Sequence, residues 1–290
     1  MTKWTFKYLL VFFLFSSQAF GDNANTLIIY PEVGKGQEQV YSSVIKGIEN
    51  EIERPKLLEL KDGQIDIQQQ LDEIRPLKII ALGKSAAEAA NKSSYRKQTL
   101  TGLSYFTKSE YNGVSLIVNS LTLAGLLHQV APFIQRIFIV QQSGHHTIAV
   151  QPTVPGDTPT IFDIEGSDSL ETIRLLGRLL EHDVSAPTDA VFIPANITDD
   201  IRQEVEKVAW NKKIMLLSTN FSHLETGIPM VFYPDPVALG GQLGRLAGKK
   251  SLDGFENAAS IYIGLNRRAA QHIDLAPPSQ KTNLFSVQIN

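Results

Sequence analysis

The chain has no cysteine, and that absence removes disulfides, thiol chemistry and thiolate metal sites together. The fold must hold by packing alone. With 43% hydrophobic residues over 290 positions, the chain can bury one core, or two lobes can each bury their own. A membrane-spanning run is also missing, because the apolar stretch 8–15 (YLLVFFLF) is too short for a comfortable span. Lys3 and Lys7 precede that stretch, while Ala19 and Gly21 follow it at the spacing a signal peptidase reads. Residues 1–21 are therefore expected to be a signal peptide, with a mature, periplasmic chain starting near Asp22. No cysteine follows the apolar stretch, so a lipid anchor is excluded.

Positive charge is scarce. The signal carries Lys3 and Lys7 and no acid, which leaves 25 basic against 30 acidic residues, net −5. That balance argues against nucleic acid and against anionic membrane surfaces as partners. Catalytic signatures are missing as well: there is no G-x-S-x-G elbow, no H-E-x-x-H and no cysteine nucleophile. Neither an enzyme, a metal nor a cofactor is expected. His145-His146 reads as a surface pair in a loop, because neighbouring side chains point apart and no carboxylate stands at a helpful spacing. The other histidines, His223 among them, are scattered without a partner pattern. Asp199-Asp200 begins a helix, where acids complement the dipole. Asp163 and Glu165 flank a strand and are expected to face solvent.

What is present is an alternation of short apolar runs with helical periodicity, the pattern of parallel sheets with crossover helices. In the first half, strands are expected at 26–30, 56–60, 78–82, 100–106 and 114–118, with helices at 37–52, 65–74 and from Ser85. The pattern then restarts: a helix at 121–134, strands at 136–141, 159–164, 190–193 and 214–217, and helices at 168–182 and 199–210. Residues 143–158 read as a loop. Asn119-Ser120 and Tyr233-Pro234-Asp235-Pro236 lie where the two halves end, and ligands of such sheets sit beyond the strands' carboxyl ends.

Two turns carry the recognition candidates of the first half. In the stretch 82–88 (LGKSAAE) Ser85 and Glu88 suit a capping box, while the free amides of the same helix start suit an anionic group such as a carboxylate. The glycine spacing of a Walker motif is absent there. Residues 30–36 (YPEVGKG) form either an ordinary βα turn or a loop facing a cleft, with Gly34 and Gly36 allowing it to bend.

Several stretches, in order and spacing, carry a resemblance: 81–90 (ALGKSAAEAA), Asn112-Gly113-Val114-Ser115 with 121–138, Thr188-Asp189-Ala190, 228–248, and Leu265-Asn266 with Ala269 and Ala270. Together they resemble the substrate-binding proteins of certain ABC transporters, a group that includes aromatic-amino-acid binders. The resemblance implies an α/β, type I periplasmic-binding fold: two doubly wound parallel-sheet lobes joined by three crossing segments, with a ligand cleft between them. Lobe 1 would hold residues 22–118 plus about 234–256, and lobe 2 residues 119–233 plus about 257–290. By position, Tyr30, Gly34, Gly83, Ser85 and Asn119 would meet Ser218, Thr219, Tyr233 and Asp235 across the cleft. In amino-acid binders of this fold an acid pairs with the ligand's ammonium while helix-start amides and hydroxyls take its carboxylate. Those roles fall to Asp235 and Ser85 respectively. The implied partners are a small-molecule ligand and a membrane permease. The alternative partner is a membrane receptor, a kinase or cyclic-nucleotide enzyme, served by a sensing or scaffold protein that reuses the fold. Two stretches depart from the pattern: 94–113 is short and lacks an Asp-Pro element, and 143–158 looks reshaped.

Overall fold

Apolar residues on both sides of each inner strand decide the architecture. A computed structural model describes residues 25–34, 37–61, 63–152, 159–275 and 284–290, so the expected signal peptide lies outside the described residues. Strands β1 (Thr26–Pro31), β2 (Lys56–Leu60), β3 (Lys78–Leu82), β4 (Thr99–Gly102) and β5 (Gly113–Ser115) are parallel, and β13 (Phe255–Asn257) joins them in the order β13-β5-β4-β3-β1-β2. Ile28 and Ile80 face helices α1 (Glu38–Glu49) and α8 (Pro236–Gly248). Leu27, Ile29 and Ile79 face α2 (Gln68–Ile74) and α3 (Lys84–Lys92) on the other side. Alternate residues of one strand thus serve two cores, as a sheet covered on both faces requires.

The second sheet repeats the plan. It contains β7 (Arg136–Gln142), β9 (Thr160–Gly166), β10 (Asp189–Phe192), β11 (Met215–Ser218), β12 (Met230–Pro234), β14 (Ile261–Asn266) and β15 (Phe285–Ile289), in the order β15-β14-β12-β11-β10-β7-β9. Only β14 runs antiparallel to its neighbour β12 among these described strands. Helices α4 (Ser120–Val130) and α9 (Arg267–His272) cover one face, and α5 (Ser169–Arg178), α6 (Asp199–Lys212) and α7 (His223–Thr226) the other. Phe192 and Phe232 meet at 5.7 Å in the first of these layers, and burying each stabilises by roughly 1.5–3 kcal/mol.

The chain passes between the sheets three times, at residues 116–119, at 234–236 and at 258–260. The passages are tied together. Ala258 donates its amide to the Ser115 carbonyl, and Asp235 donates its own to the Ser260 carbonyl, both at 2.9 Å. The architecture is the type I periplasmic-binding fold that the resemblance implies.

Local details differ from the sequence reading. The strand expected at 100–106 stops at Gly102, because Leu103 adopts a left-handed φ of 51° and turns the chain out of the sheet. The run 114–118 divides into β5 and a two-residue strand β6 (Val118–Asn119). That short strand pairs with β8 (Ile148–Ala149), so the loop expected at 143–158 contains a strand. The helix expected to reach 134 ends at Val130.

Helices α1 and α8 touch backbone to backbone. A Cβ on Gly47 would stand 2.1 Å from the Val237 carbonyl oxygen, and one on Gly240 would stand 2.0 Å from that of Val44. Only glycine permits that approach.

Candidate functional site

In both sheets the strand order reverses beside the first strand of the lobe, between β1 and β3 and between β7 and β10. Ligand crevices of open α/β sheets form at such switch points, beyond the strands' carboxyl ends. At the first of them Tyr30, the last residue but one of β1, packs on Tyr41 of α1, ring centroids 6.5 Å apart. Gly83 opens α3 with φ 86°, and a Cβ there would meet the Tyr41 hydroxyl at 2.6 Å. Tyr30, Tyr41 and Gly83 therefore form one cluster. Gly34 stands free nearby on the exposed loop after β1, with no neighbour near its missing Cβ.

The capping box expected at Ser85 and Glu88 does not form. Helix α3 already begins at Lys84, so Ser85 sits within its first turn, exposed, and no side chain caps the helix. The first-turn amides are left to solvent or to a ligand.

Asn119 starts α4 at the first passage, and its Oδ1 accepts from the amides of Leu121 at 2.8 Å and Thr122 at 3.4 Å. Asp235 does the same for α8 at the second passage, its Oδ1 accepting from Val237 at 2.9 Å and Ala238 at 3.2 Å. Its second oxygen, Oδ2, faces the Ser260 hydroxyl at 3.5 Å, and the Tyr262 phenol lies beside the same carboxylate. Tyr233 stands edge-on to both Phe221, at 4.9 Å, and Tyr262, at 5.7 Å. Burial first, then Tyr262 and the Asp235 charge, push the Tyr233 phenol up to about 12. A half-buried aromatic wall thus stands beside one carboxylate oxygen with a weak hold on it.

Ser218 and Thr219 part company although they are adjacent. Ser218 is buried, bonded to His223 Nδ1 at 2.9 Å, and its oxygen accepts from the Asn220 amide at 3.0 Å. The Asn220 side-chain amide lies 3.3 Å from His223 Nε2. An NH2 group only donates, so Nε2 is the acceptor and Nδ1 carries the proton toward Ser218. That tautomer cannot take a proton from Ser218, so the Ser–His pair is a structural clasp and not an activated nucleophile. Burial, with the Arg202 charge behind it, lowers His223 to about 4 and keeps it neutral.

Thr219 is buried too, but its hydroxyl turns toward the first lobe. Its hydroxyl donates to Thr147 at 3.1 Å and also faces the phenol of Tyr105, which lies beyond β4 in the other lobe. Tyr105 keeps 41% of its surface open, yet surrounding protein raises its pKa, the Thr219 hydroxyl opposing that rise. A side chain both open and enclosed in this way lines a cleft. Tyr105, Thr147, Tyr41, Phe221 and Tyr262 went unnoticed in the sequence. Tyr105 had a usable signal, since it follows a strand's carboxyl end as Tyr30 does.

His146 does have a carboxylate partner, contrary to the spacing argument. Strand β9 brings Glu165 within 3.3 Å of its Nε2, a contact made across sheet order and not along the chain. Asp163 and Glu165 are exposed, as expected, but they lie within β9 and not beside it. Among the described residues no group of three or more potential ligands for a metal ion is assembled. Cavities of about 600 Å³ in the second lobe and about 490 Å³ in the first contain none of the candidate residues. Both border strand starts, at the ends of the lobes away from the switch points.

No family model and no curated protein sequence matches the chain. Solved structures do. An ABC domain from Streptococcus pneumonia in complex with L-Trp aligns at 13% identity and TM-score 0.55, over 91% of this chain and 99% of its own. A ligand-free, open substrate-binding protein with adhesive properties from Clostridium difficile aligns at 16% identity and TM-score 0.58, over 91% and 98%. A conserved domain protein from Vibrio cholerae aligns at 12% identity and TM-score 0.50, over 91% and 99%. Over 91% of its length the chain shares its fold with substrate-binding proteins.

Proposed function

We propose that the protein is an exported receptor that captures a small polar molecule, an amino acid being the first class to test, between two lobes. It performs no chemistry on that molecule and delivers it to an ABC-type membrane permease. The moving lobes are residues 22–118 plus about 234–256, and 119–233 plus about 257–290. The observation that carries this reading is the pairing of chemistries around the passages. Asp235 Oδ2 and the Tyr233, Phe221 and Tyr262 rings form one site, and the uncapped start of α3 with Ser85 forms another. A carboxylate suits an ammonium, and unbonded helix-start amides suit a carboxylate. Asn119, Thr219, Tyr30, Gly34 and Gly83 complete the rim, while Ser218 acts behind it by holding the Thr219 turn in place.

The test is calorimetry on the mature protein against amino acids, nucleosides and small organic acids, followed by two Asp235 variants. Asp235→Asn keeps an oxygen to cap α8 and removes the charge; Asp235→Ala removes both. Both variants should bind the ligand at least about tenfold more weakly, since each leaves an ammonium without its partner. Affinity unchanged in the folded Asp235→Asn variant would defeat the assignment of that residue.

One observation favours a second reading, a sensing or scaffold partner of a membrane receptor. Tyr105 of the first lobe faces the Thr219 hydroxyl of the second, so a direct contact between the lobes could stand in for a bridging ligand. A flat ligand screen with folded, ligand-free protein would move the weight to that reading.

A further inference from the structure

The far end of the first lobe holds a second polar cavity, of about 490 Å³, at the starts of β4, β5 and β13 and remote from the cleft. Arg96, Lys97 and Lys108 line it, together with Asn91, Asn112 and Thr101. The local charge runs against the chain as a whole. Residues 84–112 carry five basic and two acidic side chains in a protein of net charge −3.

The two acids that share the cavity are each held through one oxygen by a neighbour in sequence. Glu110 accepts from the amide and the hydroxyl of Thr107, at 2.7 and 2.9 Å. Asp253 accepts from the Ser251 hydroxyl at 2.7 Å. Among the described residues, Arg96, Lys97 and Lys108 form no ion pair. The Thr101 hydroxyl, 1% exposed, has no hydrogen-bond partner either. The three cations are exposed and unpaired, and the Thr101 hydroxyl beside them is a buried donor without an acceptor, where buried polar groups are almost always paired.

We infer that this cavity binds a phosphate-class oxyanion, with Arg96, Lys97 and Lys108 as charged donors and Thr101 as a neutral one. Such an ion offers several acceptors and a charge to match the cations. Its source is either the free ion or a phosphorylated headgroup at a membrane surface.

Inorganic phosphate is titrated into the whole mature protein, and the Tyr111 and Asn112 amide resonances are followed by NMR. A saturable shift in the millimolar range or below is expected. The Lys97→Ala/Lys108→Ala double variant should bind at least about tenfold more weakly, because charge-assisted bonds are lost. Thr101→Val, nearly isosteric, should weaken binding severalfold while leaving the charges in place. Sedimentation with phosphatidylcholine vesicles containing phosphatidylglycerol separates the sources. Co-sedimentation lost in the double variant supports the headgroup, and phosphate binding without co-sedimentation supports the free ion. The proposal is overturned if no saturable shift occurs, or if the shift survives unchanged in the double variant while its spectrum shows a folded protein.

Discussion

The two rims of the cleft are built on opposite principles. In the second lobe the turn after β11 is clasped by Ser218, Asn220 and His223, and the wall beside the end of β12 is three packed rings. In the first lobe the loop after β1 is exposed at Gly34 and α3 begins with no side-chain cap. The second rim is preorganised, and its polar groups have found partners. The first rim is left wanting them. Preorganisation lowers the ordering cost of binding, whereas unsatisfied donors supply a reason to bind. Each lobe therefore contributes what the other lacks.

The contrast can be broken from the stronger side first. His223 stays neutral when folded, with a pKa of about 4 against an ordinary 6.5. Because the unfolded chain takes up the proton first, the contribution is fully present above pH 6.5 and is lost as pH falls toward 4. Denaturant unfolding should show a loss of about 3 kcal/mol across that window, and His223→Gln should flatten it. An identical slope in the variant would show that the clasp contributes nothing. Next in size is Tyr105→Phe, which removes the hydroxyl facing Thr219 and should destabilise the lobe contact by about 1 kcal/mol. Small-angle scattering of the ligand-free variant should then show a larger radius of gyration, and an unchanged radius would demote Tyr105 to a surface residue. The smallest effect is expected at Ser85→Ala. Its exposed hydroxyl makes no bond to the protein, so stability should change by less than about 0.5 kcal/mol. A loss near the value of a helix cap, about 1 kcal/mol, would return Ser85 to the capping role it does not hold here.

Much of the fold was legible because both sheets consist of short apolar runs separated by helical periodicity, and β1, β2, β3, β7, β9, β10 and β11 fell within two residues of their expected places. The boundaries that shifted did so where a single backbone angle decided them, as at Leu103, or where a strand was only two residues long, as at Val118 and Ile148. The cleft was legible only in part. Tyr30 and Gly83 could be placed by the rule that strand ends face the crevice, and the structure brings them together through Tyr41, which the rule does not reach. The different directions of the buried Ser218 and Thr219 hydroxyls, toward His223 and toward Tyr105, could not be read either, because period-two alternation stops at the end of a strand. Contacts such as Phe221 with Tyr233, or His146 with Glu165, join segments whose distance in sequence carries no signal in a single chain.

The glycine seam between α1 and α8 has a mechanical meaning. With Gly47 and Gly240 leaving no gap between the two backbones, α8 is keyed to the first sheet and cannot slide or roll against it. Asp235, at the head of α8, is thus the tip of a rigid arm, while Tyr233, two residues earlier, belongs to the other sheet. Any rotation of one sheet against the other is taken up at the three passages, and one of them is the short linkage between those two side chains. The separation of the pair therefore tracks the angle between the lobes.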